Sequence, residues 1–262
     1  MPRFAANLTL MFTEHAFLDR FAAAADAGFT AVECLFPYAE SPSAIASRLQ
    51  RHDLELALFN MPPGDWAAGE RGIAALPDRF ATMAEGVEMA RTYAEATGTR
   101  RLHLMAGLAD RNDPDAVAAY RRSLRHAAGR LATRDIDLLI EPINRRSMPG
   151  YFLDDVAFAA GMVEELRAAG YPNAKLQFDV FHVQVLHGDV TTRLEALMPL
   201  IGHIQTASVP GRHEPGTGEL DDAFVFRTLD RLGYAGFVGC EYNPAEGTRT
   251  GLGWFAPWRR DG

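Results

Sequence analysis

The chain lacks the features that mark secreted, zinc-binding and membrane-spanning proteins. It has only 2 cysteines in 262 residues, Cys34 and Cys240, with no CxxC pair and no histidines at zinc-site spacing. Two isolated cysteines predict buried apolar side chains rather than a disulfide. No apolar run approaches the roughly 20 residues needed to span a bilayer. The N-terminus also lacks the charged and apolar regions of a signal peptide. We therefore expect a cytoplasmic protein that makes no use of a membrane.

Positive charge is scarce as well. Lys and Arg number 26 against 34 acids, which gives a formal net charge of −8. Because nucleic-acid affinity comes largely from Lys and Arg on phosphates, this balance disfavours a nucleic-acid partner. Apolar residues make up 48% of the chain, enough for a large core. No linker rich in Pro, Gly or Ser divides the sequence, so we predict a single domain over residues 1–262.

What the chain does contain is a recurring unit of a short apolar strand followed by a helical segment. Eight candidate strands lie at 3–10, 31–36, 54–60, 101–105, 136–141, 174–179, 201–205 and 236–241. Helix starts are marked by Ser41-Pro42 and Asp113-Pro114, and helix ends by Gly170 and Gly233. Eight alternating units predict a single (β/α)8 TIM barrel. A doubly wound open sheet is the alternative, but no GxGxxG follows the first strand.

Polar side chains stand at the carboxyl end of every predicted strand. They are Asn7, Glu33, Asn60, His103, Glu141, Asp179, Gln205 and Glu241. In a barrel these ends share one mouth, where catalytic groups sit. A single buried acid is more often structural, but four acids around one mouth repel one another and need a cation.

A divalent metal is the cation that best fits the last four strand ends. Glu141, Asp179 and Glu241 would supply carboxylates, and Gln205 would supply an amide oxygen. Hard oxygen ligands predict Mg²⁺ or Mn²⁺ rather than zinc.

The loops that leave the strands carry further candidates. His182 lies three residues after Asp179, and either contacts the substrate or supports its neighbours. Arg212, in a Gly- and Pro-rich loop at 205–220, could bind a substrate carboxylate with two hydrogen bonds. The segment NMPPGDWAAGERG at 60–72 is either a lid that excludes water or a plain surface loop. The Trp-rich segment GLGWFAPWRR near the C-terminus would cover the barrel or a neighbouring subunit, so a homo-oligomer is possible.

Motifs along nearly the whole chain resemble those of the hydroxypyruvate isomerase family, within the xylose-isomerase-like barrels. They are FAANLTLMF, AVECLFPY, PPGDWAAGERG, IEPIN, FDVFHVQ, GHIQTA, GRHEPGTGEL, GFVGCEY and GLGW. Some of them, such as the first, are also similar to the 2-oxo-tetronate isomerase branch. The resemblance identifies the family more sharply than it identifies the substrate.

The resemblance implies a metal-dependent isomerase of a small hydroxy-oxo acid, converting hydroxypyruvate to tartronate semialdehyde through an enediolate. It implies Glu141 and Glu241 as catalytic residues and metal ligands, with Asp179 and Gln205 as further ligands. It assigns substrate binding to His182 and Arg212.

Three other activities on the same scaffold are alternatives. The first is a 2-oxo-tetronate isomerase. The second is a sugar-acid epimerase or dehydratase. Related ketose 3-epimerases carry an acid where this chain has Ser147, and that departure disfavours epimerisation. The third is a phosphodiesterase of the endonuclease IV type, which would need His and Asp ligands that this chain lacks, and a less acidic surface for DNA.

Overall fold

Eight strands alternate with helices along residues 1–259, the part of the chain that this computed structural model describes. The strands are β1 (Arg3–Asn7), β2 (Ala31–Cys34), β3 (Glu55–Asn60), β4 (Arg101–His103), β5 (Asp137–Ile140), β6 (Ala174–Asp179), β7 (Ile201–Thr206) and β8 (Phe237–Cys240). Each strand pairs in parallel with the next, and β8 closes on β1. The predicted (β/α)8 TIM barrel is therefore confirmed, and the open sheet is excluded. Residues 260–262 of the predicted domain lie outside the described residues.

All eight predicted strands are present, but several end earlier than the apolar pattern suggested. The predicted first strand at 3–10 stops at Asn7, because the Asn7 side-chain oxygen accepts the Thr9 N–H at 3.1 Å and its carbonyl accepts those of Leu10 and Met11. A polar residue at the strand end thus closes a turn. Glu141 and Glu241 likewise come one residue after the end of β5 and β8, on the rim of the barrel.

Helices follow the strands as the capping residues predict. They are α1 (Arg20–Asp26), α2 (Pro42–His52), α3 (Phe80–Thr97), α4 (Pro114–Ala132), α5 (Val156–Ala168), α6 (Val180–Leu186), α7 (Val190–Leu197), α8 (Asp222–Arg231) and α9 (Thr248–Gly251). Short 3-10 helices lie at Phe17–Asp19, Pro77–Arg79, Met198–Leu200 and Leu252–Trp258. Ser41 caps α2 through the Ala44 N–H at 3.2 Å, and Asp113 caps α4 through the Asp115 N–H at 2.9 Å. None of the helices among residues 1–259 is long and apolar enough to cross a bilayer.

The C-terminal segment packs on the barrel's own core. The Phe4 ring at the start of β1 lies 5.1 Å from the Trp254 ring and 4.9 Å from the Phe226 ring of α8, both edge-on. The Phe255 ring stacks on Phe29 at 4.4 Å. Of the two roles predicted for GLGWFAPWRR, the structure shows the cover over the barrel; Arg260, in that motif, lies outside the described residues.

Candidate functional site

Three buried carboxylates converge at the carboxyl mouth of the barrel. Glu141 and Glu241 follow β5 and β8, Asp179 ends β6, and their exposed fractions are only 4%, 7% and 1%. The Glu141 Oε1 atom has no hydrogen-bond partner among the described residues. One atom each from Glu141, Asp179 and His182 lies within 4.8 Å of the other two, so these three side chains meet at one point of the mouth. Buried oxygen donors with free lone pairs are a donor set that suits a divalent cation.

The same burial makes these carboxylates hard to ionise. Burial raises the pKa of Glu141 well above its usual range, and the charges of Glu241 and Asp179 raise it further. Burial also raises the pKa of Glu241 to about 8 and that of Asp179 to about 6. Three ionised carboxylates at this position would therefore be costly unless a cation were bound beside them.

Arg212 is the positive group that reaches the cluster. Its Nη2 atom lies 3.3 Å from Asp179 Oδ2 and 3.2 Å from Glu241 Oε1. The backbone of Arg212 has a φ of +56°, an uncommon conformation for a residue with a side chain. Its N–H donates to Ser208 at 2.8 Å, and its carbonyl accepts from Asn243 at 2.9 Å, which fix that conformation. The loop thus delivers the guanidinium to two carboxylates.

Gln205, at the end of β7, lies in a hydrogen-bond network inside the barrel. Its Nε2 donates to Glu33 Oε1 at 2.8 Å, and its Oε1 accepts from Gln177 Nε2 at 2.6 Å. Glu33 also accepts from Asn7 Nδ2 at 2.9 Å and pairs with His203 Nε2 at 2.7 Å. Glu33, one of the polar residues at the predicted strand ends, therefore orients the predicted metal ligand Gln205.

His182 is fixed by a chain of amide contacts. The Ser147 N–H donates to Asn144 Oδ1 at 2.8 Å, so the Asn144 Nδ2 faces His182 Nδ1 at 2.6 Å. Nδ1 is then the acceptor, and Nε2 carries the proton of the neutral ring. Nε2 points at the carboxylates, 3.5 Å from Asp179 Oδ2 and 4.0 Å from Glu141 Oε1. His182 therefore presents a donor, rather than a metal-binding lone pair, to the site.

His103 and Asn60 line the other side of the cluster. The His103 Nδ1 lies 3.2 Å from Asn60 Oδ1 and 3.7 Å from Glu141 Oε2. Burial, together with a smaller effect of the neighbouring His203, lowers the pKa of His103 to about 3. His103 is thus neutral and turned toward Glu141.

A cavity of about 250 Å³ opens from these groups to the surface. That is below the roughly 300–1,000 Å³ of pockets for drug-sized ligands, so it suits a small substrate. Its described lining includes Leu10, Leu35, Phe36, Asn60, Trp66, Arg71, His103, Met105, Glu141, Ile143, Ser147, Met148, His182, Arg212, Glu241 and Asn243. Trp66 and Arg71 place the predicted lid segment in the cavity wall.

His213 and Glu214, which follow Arg212 in the 205–220 loop, are not among the described residues that line this cavity. His213 Nδ1 contacts the Asn243 carbonyl at 2.8 Å, and the Glu214 carboxylate accepts from the Ala245 N–H at 3.1 Å. Both side chains hold the loop that carries Arg212.

Gln177 contacts Gln205 and His203 contacts Glu33, yet neither is among the polar residues at the predicted strand ends. Gln177 lies two residues before Asp179, as His203 lies two before Gln205. Because side chains alternate along a strand, such pairs point to the same face. A search for polar residues two positions before each strand end would therefore have predicted Gln177 and His203.

The comparisons with known proteins agree with this geometry. The family model for the xylose isomerase-like TIM barrel matches residues 21–258. A 2-oxo-tetronate isomerase of Cupriavidus necator is 50% identical over 98% of this chain and 99% of its own. The hydroxypyruvate isomerase of Escherichia coli K12 is 40% identical over 99% of this chain and 100% of its own.

A solved structure is similar over the whole chain. The crystal structure of an AP endonuclease, family 2, from Brucella melitensis has a TM-score of 0.95 and 47% identity, and covers 99% of this chain and 100% of its own. The chain belongs to the xylose isomerase-like TIM barrel family and, within it, to the hydroxypyruvate isomerase family of isomerases that its sequence motifs predicted.

Proposed function

We propose that this isomerase interconverts hydroxypyruvate and tartronate semialdehyde with a divalent metal, and that residues 1–262 act as one domain. The observation that carries the proposal is the pair of buried glutamates, Glu141 and Glu241, in the wall of one small cavity. Burial raises the pKa of both, and that of Glu241 to about 8. A carboxyl group with a pKa near neutrality can both accept and return a proton.

The reaction moves one hydrogen from C3 to C2 while the carbonyl moves from C2 to C3. One glutamate removes the C3 proton, which leaves an enediolate, and a glutamate carboxyl returns a proton to C2. Glu141 and Glu241 are the two groups that we assign to these transfers. The hydroxyl oxygen on C3 also gives up its proton, and the former carbonyl oxygen on C2 gains one. The atoms and protons of substrate and product therefore balance.

Glu141, Asp179, Gln205 and Glu241 are the residues that we propose hold the metal. The unpartnered Oε1 of Glu141 and the excess of buried carboxylates support the assignment. A bound divalent cation would supply Lewis-acid polarisation of the substrate oxygens. Their oxygen donors favour Mg²⁺ or Mn²⁺.

We assign substrate binding to His182 and Arg212. The Nε2–H of His182 is a donor directed into the site, and it can stabilise negative charge that develops on a substrate oxygen. The guanidinium of Arg212 bridges Asp179 and Glu241, so we assign it to the reacting end of the substrate instead of the substrate carboxylate that the sequence suggested.

A 2-oxo-tetronate isomerase is the second candidate, favoured by the 50% identity to the enzyme of that name from Cupriavidus necator. The two acids share C1 to C3 and the same hydrogen shift, and they differ in the substituent on C3. The same carboxylates can therefore serve both reactions, and the cavity wall near C3 decides between them.

Proton NMR in D₂O tests the proposal. The protein is treated with EDTA and assayed with hydroxypyruvate and with 2-oxo-tetronate, with and without restored Mg²⁺ or Mn²⁺. We expect loss of the C3 proton signal from either acid only with the metal, accompanied by an aldehyde product from hydroxypyruvate and by a 3-oxo ketone product from 2-oxo-tetronate. Equal turnover in EDTA would refute the metal dependence, and no exchange with either acid would refute the isomerase assignment. Faster turnover of 2-oxo-tetronate would select the second candidate.

A further inference from the structure

The substrate's carboxylate needs a positive partner that the metal cluster does not provide. This step rests on the proposed function, in which the substrate is an acid. A divalent cation and Arg212 together only balance the charges of Glu141, Asp179 and Glu241. The Nη2 atom of Arg212 already pairs with Glu241 and Asp179, at 3.2 and 3.3 Å, and its Nε donates to the Glu241 carbonyl at 3.3 Å. A further carboxylate in this small cavity would be uncompensated unless another cation faced it.

Arg71 is the other cationic side chain in the cavity wall among the described residues. It lies in the segment that follows β3 and is half-buried. No carboxylate among residues 1–259 forms an ion pair with it, which sets it apart from Arg212. Its Nη1 donates to the carbonyls of Trp66 at 3.1 Å and Glu70 at 2.8 Å. Its Nε and Nη2 make no hydrogen bond within that part of the chain, and those two atoms form one fork of the guanidinium.

The Trp66 ring stacks against the guanidinium of Arg71 and sets its orientation. The Arg71 Cζ lies 4.0 Å from the centroid of the Trp66 ring, whose other neighbour is Phe36 at 5.2 Å. Stacking on an aromatic face leaves the edge of the guanidinium open for a planar, bidentate contact. That edge matches the geometry of a carboxylate.

The backbone around Arg71 is built to hold it at the cavity. Gly72 has a φ of +96°, and a Cβ there would lie 2.5 Å from the Met105 carbonyl carbon. Because glycine has no side chain, the loop can approach the segment that follows β4, where Gly72 forms an isolated β-bridge with Ala106. On the other side, Glu70 pairs with Arg79 and accepts the Asp65 N–H, which pins the loop from outside. Arg71 therefore sits on an anchored segment rather than a free one.

We propose that Arg71 binds the substrate's carboxylate and so makes the site selective for acids over neutral sugars of the same size. Trp66 keeps the guanidinium in plane, and Gly72 permits its approach. Arg212 serves the reacting end of the substrate, and Arg71 serves the carboxylate end.

The test compares binding of glycerate and glycerol, two ligands that cannot isomerise and that differ in the carboxylate. Titration calorimetry is done on the Mg²⁺-loaded protein and on Arg71→Met and Arg71→Lys. We expect Arg71→Met to weaken glycerate binding about 10- to 100-fold, the range for a hydrogen bond to a charged group. Glycerol and Mn²⁺ binding should stay unchanged. Arg71→Lys should lose less, since it keeps the charge without the fork.

Arg122→Met is the matched control. Arg122 also stacks on a ring, with its Cζ 4.3 Å from the Phe80 centroid, and donates to the Pro77 carbonyl at 3.1 Å, but it is remote from the cavity lining. The Arg122→Met variant should bind glycerate with the affinity of the wild-type protein.

Three results would overturn the role of Arg71. They are wild-type affinity of Arg71→Met for glycerate, an equal loss of glycerol and Mn²⁺ binding, and no preference of the unmodified protein for glycerate over glycerol. This experiment measures binding without turnover, so it can be separated from the test of the proposed reaction. If the protein isomerises neither acid, the proposed reaction is refuted. If Arg71→Met still weakens glycerate binding in that case, the role of Arg71 at the carboxylate stands.

Discussion

Gln205 donates its Nε2–H to Glu33 Oε1 at 2.8 Å, deep inside the barrel. Since a carboxylate accepts hydrogen bonds and does not donate them, this contact fixes which end of the amide faces Glu33. The Gln205 Oε1 must then point away from it, where it accepts from Gln177 Nε2. The oxygen keeps a second lone pair, which the proposed metal ligand on β7 would use.

Replacement of Glu33 tests that orientation. In Glu33→Gln the new side chain has both a donor and an acceptor, so the amide of Gln205 is no longer restricted to one orientation. We expect Mn²⁺ to bind 10- to 100-fold more weakly, the usual loss when a partner that orients a ligand is removed, as calorimetry would show. Glu55→Gln, at the exposed start of β3, is the control and should bind normally. An unchanged affinity in Glu33→Gln would contradict the ordering role.

Loss of either catalytic glutamate should stop the reaction without unfolding the chain. Glu141→Gln and Glu241→Gln remove a proton carrier, and we expect kcat to fall by about 10²- to 10⁴-fold. In EDTA at neutral pH both variants should melt at a higher temperature than wild type, because each removes an acid whose pKa is raised by burial and, less, by neighbouring carboxylates; for Glu241 this outweighs the loss of its pair with Arg212. The measurements are the NMR assay and calorimetric melting. Near-wild-type turnover by either variant would disprove its assignment.

Metal binding should stabilise the folded protein. A ligand at about 100 times its Kd contributes ~2.7 kcal/mol to folding. For a chain of this length ~1 kcal/mol corresponds to a shift of roughly 2–4 °C. Mg²⁺ or Mn²⁺ added to EDTA-treated protein should therefore raise Tm by about 5–10 °C. In Asp179→Asn the rise should be much smaller, and a rise equal to that of wild type would place the cation elsewhere.

Two buried tyrosines offer a contrast in stability. Tyr120 is fully buried, and its hydroxyl has no hydrogen-bond partner among the described residues. The Tyr151 hydroxyl instead accepts the Ala106 N–H at 2.8 Å. Tyr120→Phe should leave the free energy of unfolding unchanged or raise it by up to about 1 kcal/mol, because an unpaired polar group is removed. Tyr151→Phe should lower it by about 1–3 kcal/mol, since the Ala106 N–H loses its partner.

Urea unfolding measures both variants. The expected order of stability is Tyr120→Phe at or above wild type, and Tyr151→Phe below it. The reverse order would show that the Tyr120 hydroxyl is paired in solution.

The sequence by itself determined the barrel and the approximate place of the chemistry. Apolar strands such as β8, separated by capped helices such as α2, can bury both faces only in a parallel sheet covered by helices. In such a barrel the strand ends share one mouth, so the positions of Glu141, Asp179 and Glu241 at strand ends are enough to predict that they lie close together.

Only the tertiary structure decided which of the polar groups at the strand ends are in contact, and which nitrogen of His182 carries the proton. The pairing of Glu33 with Gln205 and His203 joins residues about 170 positions apart, and the tautomer of His182 depends on an amide 38 positions away. The open fork of Arg71 likewise depends on the ring of Trp66 and on Met105 beneath Gly72. Hydrogen bonds and charge pairing act over a few ångströms in space, and sequence patterns report only local backbone preference and burial.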